Sequence, residues 1–205
     1  WSLLQVALPV LVPASLFINY RVYMVHDGDP EAAMGDLLTL GVQILAGLYV
    51  NALVIRRTLV ASGIRQYPPG TEWADAADRL PALLVVQLLS GMLIFSGLLV
   101  FIVPGIWLMG IFMPAHVLVV AERVSGVTAM RQAWSRFRPA AWQVAGTLIA
   151  LIAVLMRAML LLAVVEQSVG SQSPGLRWMA GTVVDVAGLF LTQAIVILLV
   201  RFYDL

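Results

Sequence analysis

Six long stretches of this chain are too apolar to be left in water, and they decide what it can fold into. They run 3–25, 37–55, 81–103, 106–121, 141–165 and 179–200. A helix crossing a bilayer needs about 20 mostly apolar residues, and only the fourth stretch falls well short. None of the stretches alternates with period two, and they are too long for barrel strands. Backbone groups in lipid must be satisfied within their own segment, which leaves helices. The expectation is an all-α integral membrane protein with six transmembrane helices, forming one membrane domain over 1–205.

Composition excludes the other classes. Of the 205 residues 61% are hydrophobic and 11% charged, against about 45–50% and about 25% in soluble domains. That rules out an ordinary water-soluble enzyme and a disordered chain. A net charge of +1 rules out a nucleic-acid-binding module. Cysteine is absent, so disulfides, thiol catalysis and thiolate metal sites are excluded. All twelve basic residues are arginine.

Arginine placement sets the orientation. Segment 56–80 holds Arg56, Arg57, Arg65 and Arg79, segment 122–140 holds Arg123, Arg131, Arg136 and Arg138, and the tail adds Arg201. The alternate side has Arg21 and Arg177. The bias places the first set in the cytoplasm, with both termini on that side. Loop 26–36, with His26, Asp27, Asp29, Glu31 and Asp36, is then acidic and external. That loop is read as solvated; its spacing fits no EF-hand, although it could attract a cation. Tyr20 and Tyr23 fit an outer aromatic belt. The chain opens at Trp1 without Met, and a trimmed N-terminus is expected rather than a cleaved signal peptide.

Two segments read as interfacial helices. Segment 125–138 sets Val127, Met130, Trp134 and Phe137 on one face and Arg131, Gln132, Ser135 and Arg138 on the rest, and Pro139 ends it. Arg131, Arg136, Arg138 and Trp134 are the expected contacts with anionic lipid headgroups. The plainer reading is a loop helix packed on the bundle. Segment 71–80 follows a Pro68-Pro69-Gly70 turn. Its expected features are a Thr71 cap, an Asp75–Arg79 pair one helical turn apart, and a face of Trp73, Ala77 and Leu80. Each segment feeds an outward span and a return span, which suggests three parallel helix-hairpin repeats. Punctuation common to any helix-hairpin protein explains the same pattern. Pro104-Gly105 is expected to form the tight hairpin between the third and fourth spans.

The stretch Val103–Arg138, opening V-P-G-I and closing A-M-R-Q-A-W-S-R-F-R, resembles the YciC-like family of bacterial inner-membrane proteins. The end, Leu198-Leu199-Val200-Arg201-Phe202-Tyr203, is similar to the family's terminal pattern. Related features occur in membrane domains fused to glycerophosphodiester phosphodiesterases. The match covers roughly the second half of the chain; the first half matches in hydropathy and in Arg79-Leu80-Pro81. The resemblance implies a six-helix protein of the bacterial inner (plasma) membrane. It carries no catalytic residues to transfer, and the phosphodiesterase barrel of the fused relatives has no room here.

Polar residues inside the spans are the remaining candidates. Arg157 sits about 8 residues, so about 12 Å, from the outer end of the fifth span, and Asp185 about 6 residues, so about 9 Å, from that of the sixth. A charge inside the bilayer costs about 2.5–3.5 kcal/mol, so the two are expected to form an intramembrane ion pair. The pair is structural, or it lines a polar cavity; Arg157 reaching to the interface is a further reading. Gln43, Asn51, Gln87, His116 and Gln193 are expected to join helices by hydrogen bonds. Gly41, Gly47, Gly91, Gly97, Gly181 and Gly188 are expected to allow close helix approach. No Ser/His/Asp set, H-E-x-x-H, P-loop or paired intramembrane aspartates appears. No cofactor or metal is expected. The functional expectation is a non-enzymatic envelope protein binding phospholipid, partner membrane proteins, or both, with no nucleic acid. The alternative is a transporter or channel with a polar site at Arg157 and Asp185. Regulation of a neighbouring enzyme rests on analogy with the fused relatives alone.

Overall fold

The structure is a computed structural model and describes residues 2–25, 36–68, 70–169, 182 and 194–203. Every regular element among the described residues is helical. Helix α1 (Ser2–Tyr20) runs into a π-helical turn, Arg21–Val25. It is followed by α2 (Leu37–Ala61), α3 (Glu72–Val100), α4 (Ile102–Phe112) and α5 (Ala115–Glu122). Then come α6 (Gly126–Phe137), α7 (Ala141–Val169) and α8 (Ala194–Tyr203).

Three helical stretches are long and apolar enough to cross a membrane: α2, α3 and Ile102–Glu122. The bent pair Gly126–Phe137 and Ala141–Val154 makes a fourth if it is one span. Their length fits the task, since α2 and α3 extend about 38 and about 44 Å at 1.5 Å per residue, against a hydrocarbon core of about 30 Å. The described residues are thus all-helical in their regular structure, with several helices long and apolar enough for a membrane. Of the six expected crossings, the first corresponds to the shorter apolar helix Ala7–Tyr20. Most of the sixth lies outside the described residues.

Several boundaries differ from the sequence expectation, each for a physical reason. The second span continues to Ala61, because Arg56 is buried inside the helix rather than released into a loop. Segments 71–80 and 81–103 are one helix, α3. Pro81 deletes one N–H from it but leaves the helix continuous. The buried face of α3 is Ala76, Leu83, Val86 and Ser90, not Trp73, Ala77 and Leu80. The reversal after α3 falls at Phe101, an extended residue (φ −156°, ψ 143°), not at Pro104-Gly105. Pro104 instead lies in the first turn of α4, where a missing N–H has no partner to lose. Gly105 serves packing: a Cβ there would stand 2.5 Å from Leu98 Cγ and 2.6 Å from Leu98 N. Of the glycines expected at close approaches, Gly97 meets Leu108 and Gly105, whereas Gly41, Gly47 and Gly91 have open space. Gly181 and Gly188 lie outside the described residues.

Helix α6 is amphipathic as expected, and the Ser125 side chain caps it by accepting from Thr128 N at 3.4 Å. Its buried face is Gly126, Ala129, Met130, Ala133 and Phe137, while Val127 is 58% exposed. That face packs on α3, α4 and α5. Pro139 follows, and α7 leaves at 103° to α6. The elbow seats on Gly110 of α4, whose missing Cβ admits the Ala141 carbonyl. Segments 71–80 and 125–138, compared above as repeats, therefore differ in shape: one is continuous with its span and the other is bent from it.

The chain divides into two compact units, Trp1–Val50 with Ala153–Gln193, and Asn51–Ile152 with Ala194–Leu205. In the first, Ala7 and Leu11 of α1 are buried and Asp36 caps α2, with Leu38 N donating to its Oδ1 at 3.2 Å. Its Oδ2 accepts from Thr39 Oγ1 at 2.7 Å and from Arg21 Nη2 at 2.5 Å. The Thr39 hydroxyl and then Arg21 hold the Asp36 carboxyl at about 2, below the usual 3.8. In the second unit, Leu53, Leu59, Leu83, Val86, Ile111, Leu118 and Leu148 are fully buried and form an apolar core. Buried Thr58 and Ser90 donate to carbonyls of their own helices, Val54 at 2.8 Å and Val86 at 2.6 Å.

Candidate functional site

The second unit gathers its charged residues at one end. Arg56 of α2 is 4% exposed, so its guanidinium must be compensated. Its Nη1 donates to Asp75 Oδ2 at 2.6 Å and to the Thr71 carbonyl at 2.9 Å. Its Nη2 donates to Thr71 Oγ1 at 2.8 Å and the Pro68 carbonyl at 3.1 Å. Thr71 thus binds arginine instead of capping α3 with its side chain. Asp75 also accepts from Arg123 Nη2 at 2.8 Å. The expected Asp75–Arg79 pair is absent: Arg79 donates to the Arg123 carbonyl at 3.2 Å. Glu72 pairs with Arg57 at 2.6 Å.

Arg123 is the one described non-glycine residue with positive φ (55°). This left-handed turn ends α5 and costs about 1–2 kcal/mol for a side chain with a Cβ. The Asp75 pair and the Arg79 bond hold it at both its side chain and its carbonyl. The Tyr67 ring lies under Arg56, 4.8 Å from guanidinium carbon to ring centre, and its hydroxyl donates to the Val120 carbonyl at 3.3 Å. Burial pushes the Tyr67 phenol up, and the nearby arginines oppose it. The cavity beside this cluster is about 10 Å³, at the lower limit for one water. The cluster's charged side chains are engaged chiefly with one another.

A second arm reaches α8. Glu122 Oε1 accepts from Arg136 Nη1 at 2.5 Å and from the Tyr203 hydroxyl at 3.3 Å. The same hydroxyl accepts from Arg65 Nη2 at 3.5 Å, and this bond is the main cause raising the Arg65 pKa. Beside it, Arg138 lies 5.6 Å over the Trp134 ring. Trp134 is 39% exposed and meets Trp107 edge-on at 5.6 Å and Phe112 in a stack at 6.0 Å.

The balance of charge at this end is uneven. Arg56, Arg57, Arg123 and Arg136 pair with Glu72, Asp75 and Glu122. Arg65, Arg79, Arg131, Arg138 and Arg201 make no ion pair with a carboxylate among the described residues. Segments 56–80 and 122–138 and the tail, grouped by arginine content alone, are thus brought to one end by direct bonds. Of the four expected headgroup contacts, Arg131 and Arg138 are exposed and make no ion pair among the described residues, Trp134 is exposed, and Arg136 is engaged by Glu122. Arg56, Tyr67, Asp75, Glu122, Arg123 and Tyr203 were not expected as a network. The available signal was two adjacent arginines closing an apolar helix.

Inside the spans, Gln87 and His116 do meet: the Gln87 side-chain amide is 3.1 Å from His116 Nε2, joining α3 to α5. His116 Nδ1 is 3.2 Å from the Met113 carbonyl. Both ring nitrogens thus face oxygen, Nδ1 the Met113 carbonyl and Nε2 the Gln87 side-chain Oε1. Gln43 is exposed and Gln193 lies outside the described residues. Arg157 is exposed on α7, and its expected partner Asp185 lies outside the described residues, as do His26, Asp27, Asp29 and Glu31. No group of metal-ligating side chains occurs among the described residues.

No protein-family model, curated protein or solved structure matches this chain.

Proposed function

We propose that this chain is a non-enzymatic, multi-pass protein of a bacterial inner membrane that binds anionic phospholipid through its arginine-rich end. Five arginines there, without a carboxylate partner among the described residues, carry the reading. Each charge near a negatively charged membrane surface is worth about 1 kcal/mol. Trp134, exposed with Arg138 above it, is the residue type that settles at the headgroup level. The apolar core of the second unit supports an interaction protein over a conduit, because its buried Thr58 and Ser90 hydroxyls are turned back onto their own helices. The YciC-like resemblance of Val103–Arg138 agrees with this reading and is itself proposed on those residues. Partner membrane proteins would use the same exposed helices.

The test is lipid retention. The full chain is purified from detergent containing equal phosphatidylglycerol and phosphatidylcholine, and retained lipids are counted by native mass spectrometry. Wild type is expected to be enriched in phosphatidylglycerol. Joint replacement Arg131→Gln, Arg138→Gln and Arg201→Gln should bring the ratio toward one. An unchanged ratio contradicts the proposal.

A further inference from the structure

Within the second unit, Arg136, Phe137, Ala140, Val144, Phe202 and Tyr203 line a groove of about 420 Å³ between the α6–α7 elbow and α8. It exists because Pro139 stops α6 and α7 departs at 103°, while α8 returns alongside. We infer that this groove holds one phospholipid of net negative charge; the inference rests on the lipid-binding reading above and gives it a discrete site.

Three observations point to that occupant. The groove is amphiphilic in an ordered way. Phe137 and Val144 are buried and, with Ala140 and Phe202, give an apolar wall. Arg136 and Tyr203 give the polar edge. That edge carries excess positive charge. Glu122 is the carboxylate bonded there, and it faces both Arg136 and, through the Tyr203 hydroxyl, Arg65. Arg138 and Arg201 adjoin the lining residues Phe137 and Phe202 in sequence, and neither pairs with a carboxylate among the described residues. A phosphate without a headgroup cation offsets this excess; a zwitterionic headgroup brings its own cation and does not.

The groove also sits where a bilayer would supply such a ligand. Trp134 and Trp142 flank the elbow and are 39% and 56% exposed, as residues at the headgroup level are. From Val144 to Ile152 α7 carries no polar side chain but Thr147, and Ile149 and Ala150 are exposed, so acyl chains leaving the groove have an apolar helix to follow. The volume lies within the usual range for small-ligand sites, about 300–1,000 Å³, and takes a headgroup with only the start of its chains.

The experiment fills the groove without touching a charge. Ala140→Trp does so at a half-buried position, and Phe202→Ala removes part of the wall. Full-length wild type and both variants are exchanged into nanodiscs of equal phosphatidylglycerol and phosphatidylcholine. Helix content and monodispersity are checked by circular dichroism and gel filtration. Lipids surviving graded activation are then counted by native mass spectrometry. One phosphatidylglycerol should survive on wild type after the remaining lipids are stripped. Ala140→Trp should lower its occupancy about tenfold, equivalent to about 1.4 kcal/mol, and Phe202→Ala should lower it several-fold. General enrichment over phosphatidylcholine should persist in both. If Phe202→Ala and a folded Ala140→Trp both keep the last lipid at wild-type occupancy while enrichment persists, the groove is not the site and the broader reading survives. If wild type shows no enrichment, both fall. If the groove retains phosphatidylcholine equally, the requirement for negative charge is overturned.

Discussion

Asp75 accepts from two arginines on one carboxylate oxygen, and one of those arginines is buried. Removing the carboxylate charge leaves Arg56 uncompensated in an apolar setting, and breaking such a buried pair costs about 3–5 kcal/mol. Partial exposure of Asp75 reduces this, so Asp75→Asn is expected to cost about 2–3 kcal/mol in thermal unfolding in detergent. Arg79→Gln, by contrast, should cost under about 0.5 kcal/mol, since Arg79 meets only a carbonyl. Equal losses in the two variants would contradict the network. The sequence suggested the opposite pairing, Asp75 with Arg79, because spacing of four is visible along a helix. A contact nineteen residues away across a loop is not. Asp36 gives a pH signature at the start of α2. Its carboxyl is held at about 2 against an ordinary 3.8. The ionised form is therefore favoured by folding. That stabilisation is complete above about pH 4 and is lost as pH falls toward 2. Hydrogen exchange in the first turn of α2, residues 37–40, corrected for intrinsic rates, should accelerate over that window, and Asp36→Asn should abolish the pH dependence. A pH-independent wild type would refute this cap.

At the scale of elements, the α3–α4 hairpin and the α6–α7 elbow depend on glycines placed where backbones touch. Gly105→Ala drives a Cβ into Leu98, including its backbone nitrogen, and overpacking of this kind costs about 1–3 kcal/mol. Gly91→Ala, mid-helix in α3 with open space around it, should instead stabilise by about 0.5–1 kcal/mol. Thermal unfolding of the pair in one detergent checks this, and a stabilised Gly105→Ala would show that the hairpin is looser than described. Helix existence was legible, because apolar length and the α6 pattern are local. Helix ends were less so. Pro104-Gly105 reads as a turn in isolation, yet proline is equally at home in a first helical turn and glycine at a close contact. Likewise Val127, Met130, Trp134 and Phe137 read as one apolar face of α6, but the face that packs joins Met130 and Phe137 to the small residues Gly126, Ala129 and Ala133, which let the helix approach its neighbours.

At the scale of the molecule, the arginine bias and the bonding network agree on grouping. The segments that hydropathy placed on one side of the membrane are those joined by Arg56–Asp75–Arg123 and Arg65–Tyr203–Glu122–Arg136. The class of protein was legible from apolar runs alone, since lipid is the solvent they require. The network was not, because it joins residues up to 138 positions apart. The central claim is that this arginine-rich end lies in the cytoplasm against anionic lipid. The chain has no cysteine, so each introduced thiol is a unique reporter. Gln66→Cys and Ser135→Cys place one on each of two exposed parts of that end. With a membrane-impermeant maleimide, both should stay unlabelled in intact cells and react fully once the membrane is opened. Labelling of either position in intact cells would contradict the orientation and the lipid reading built on it.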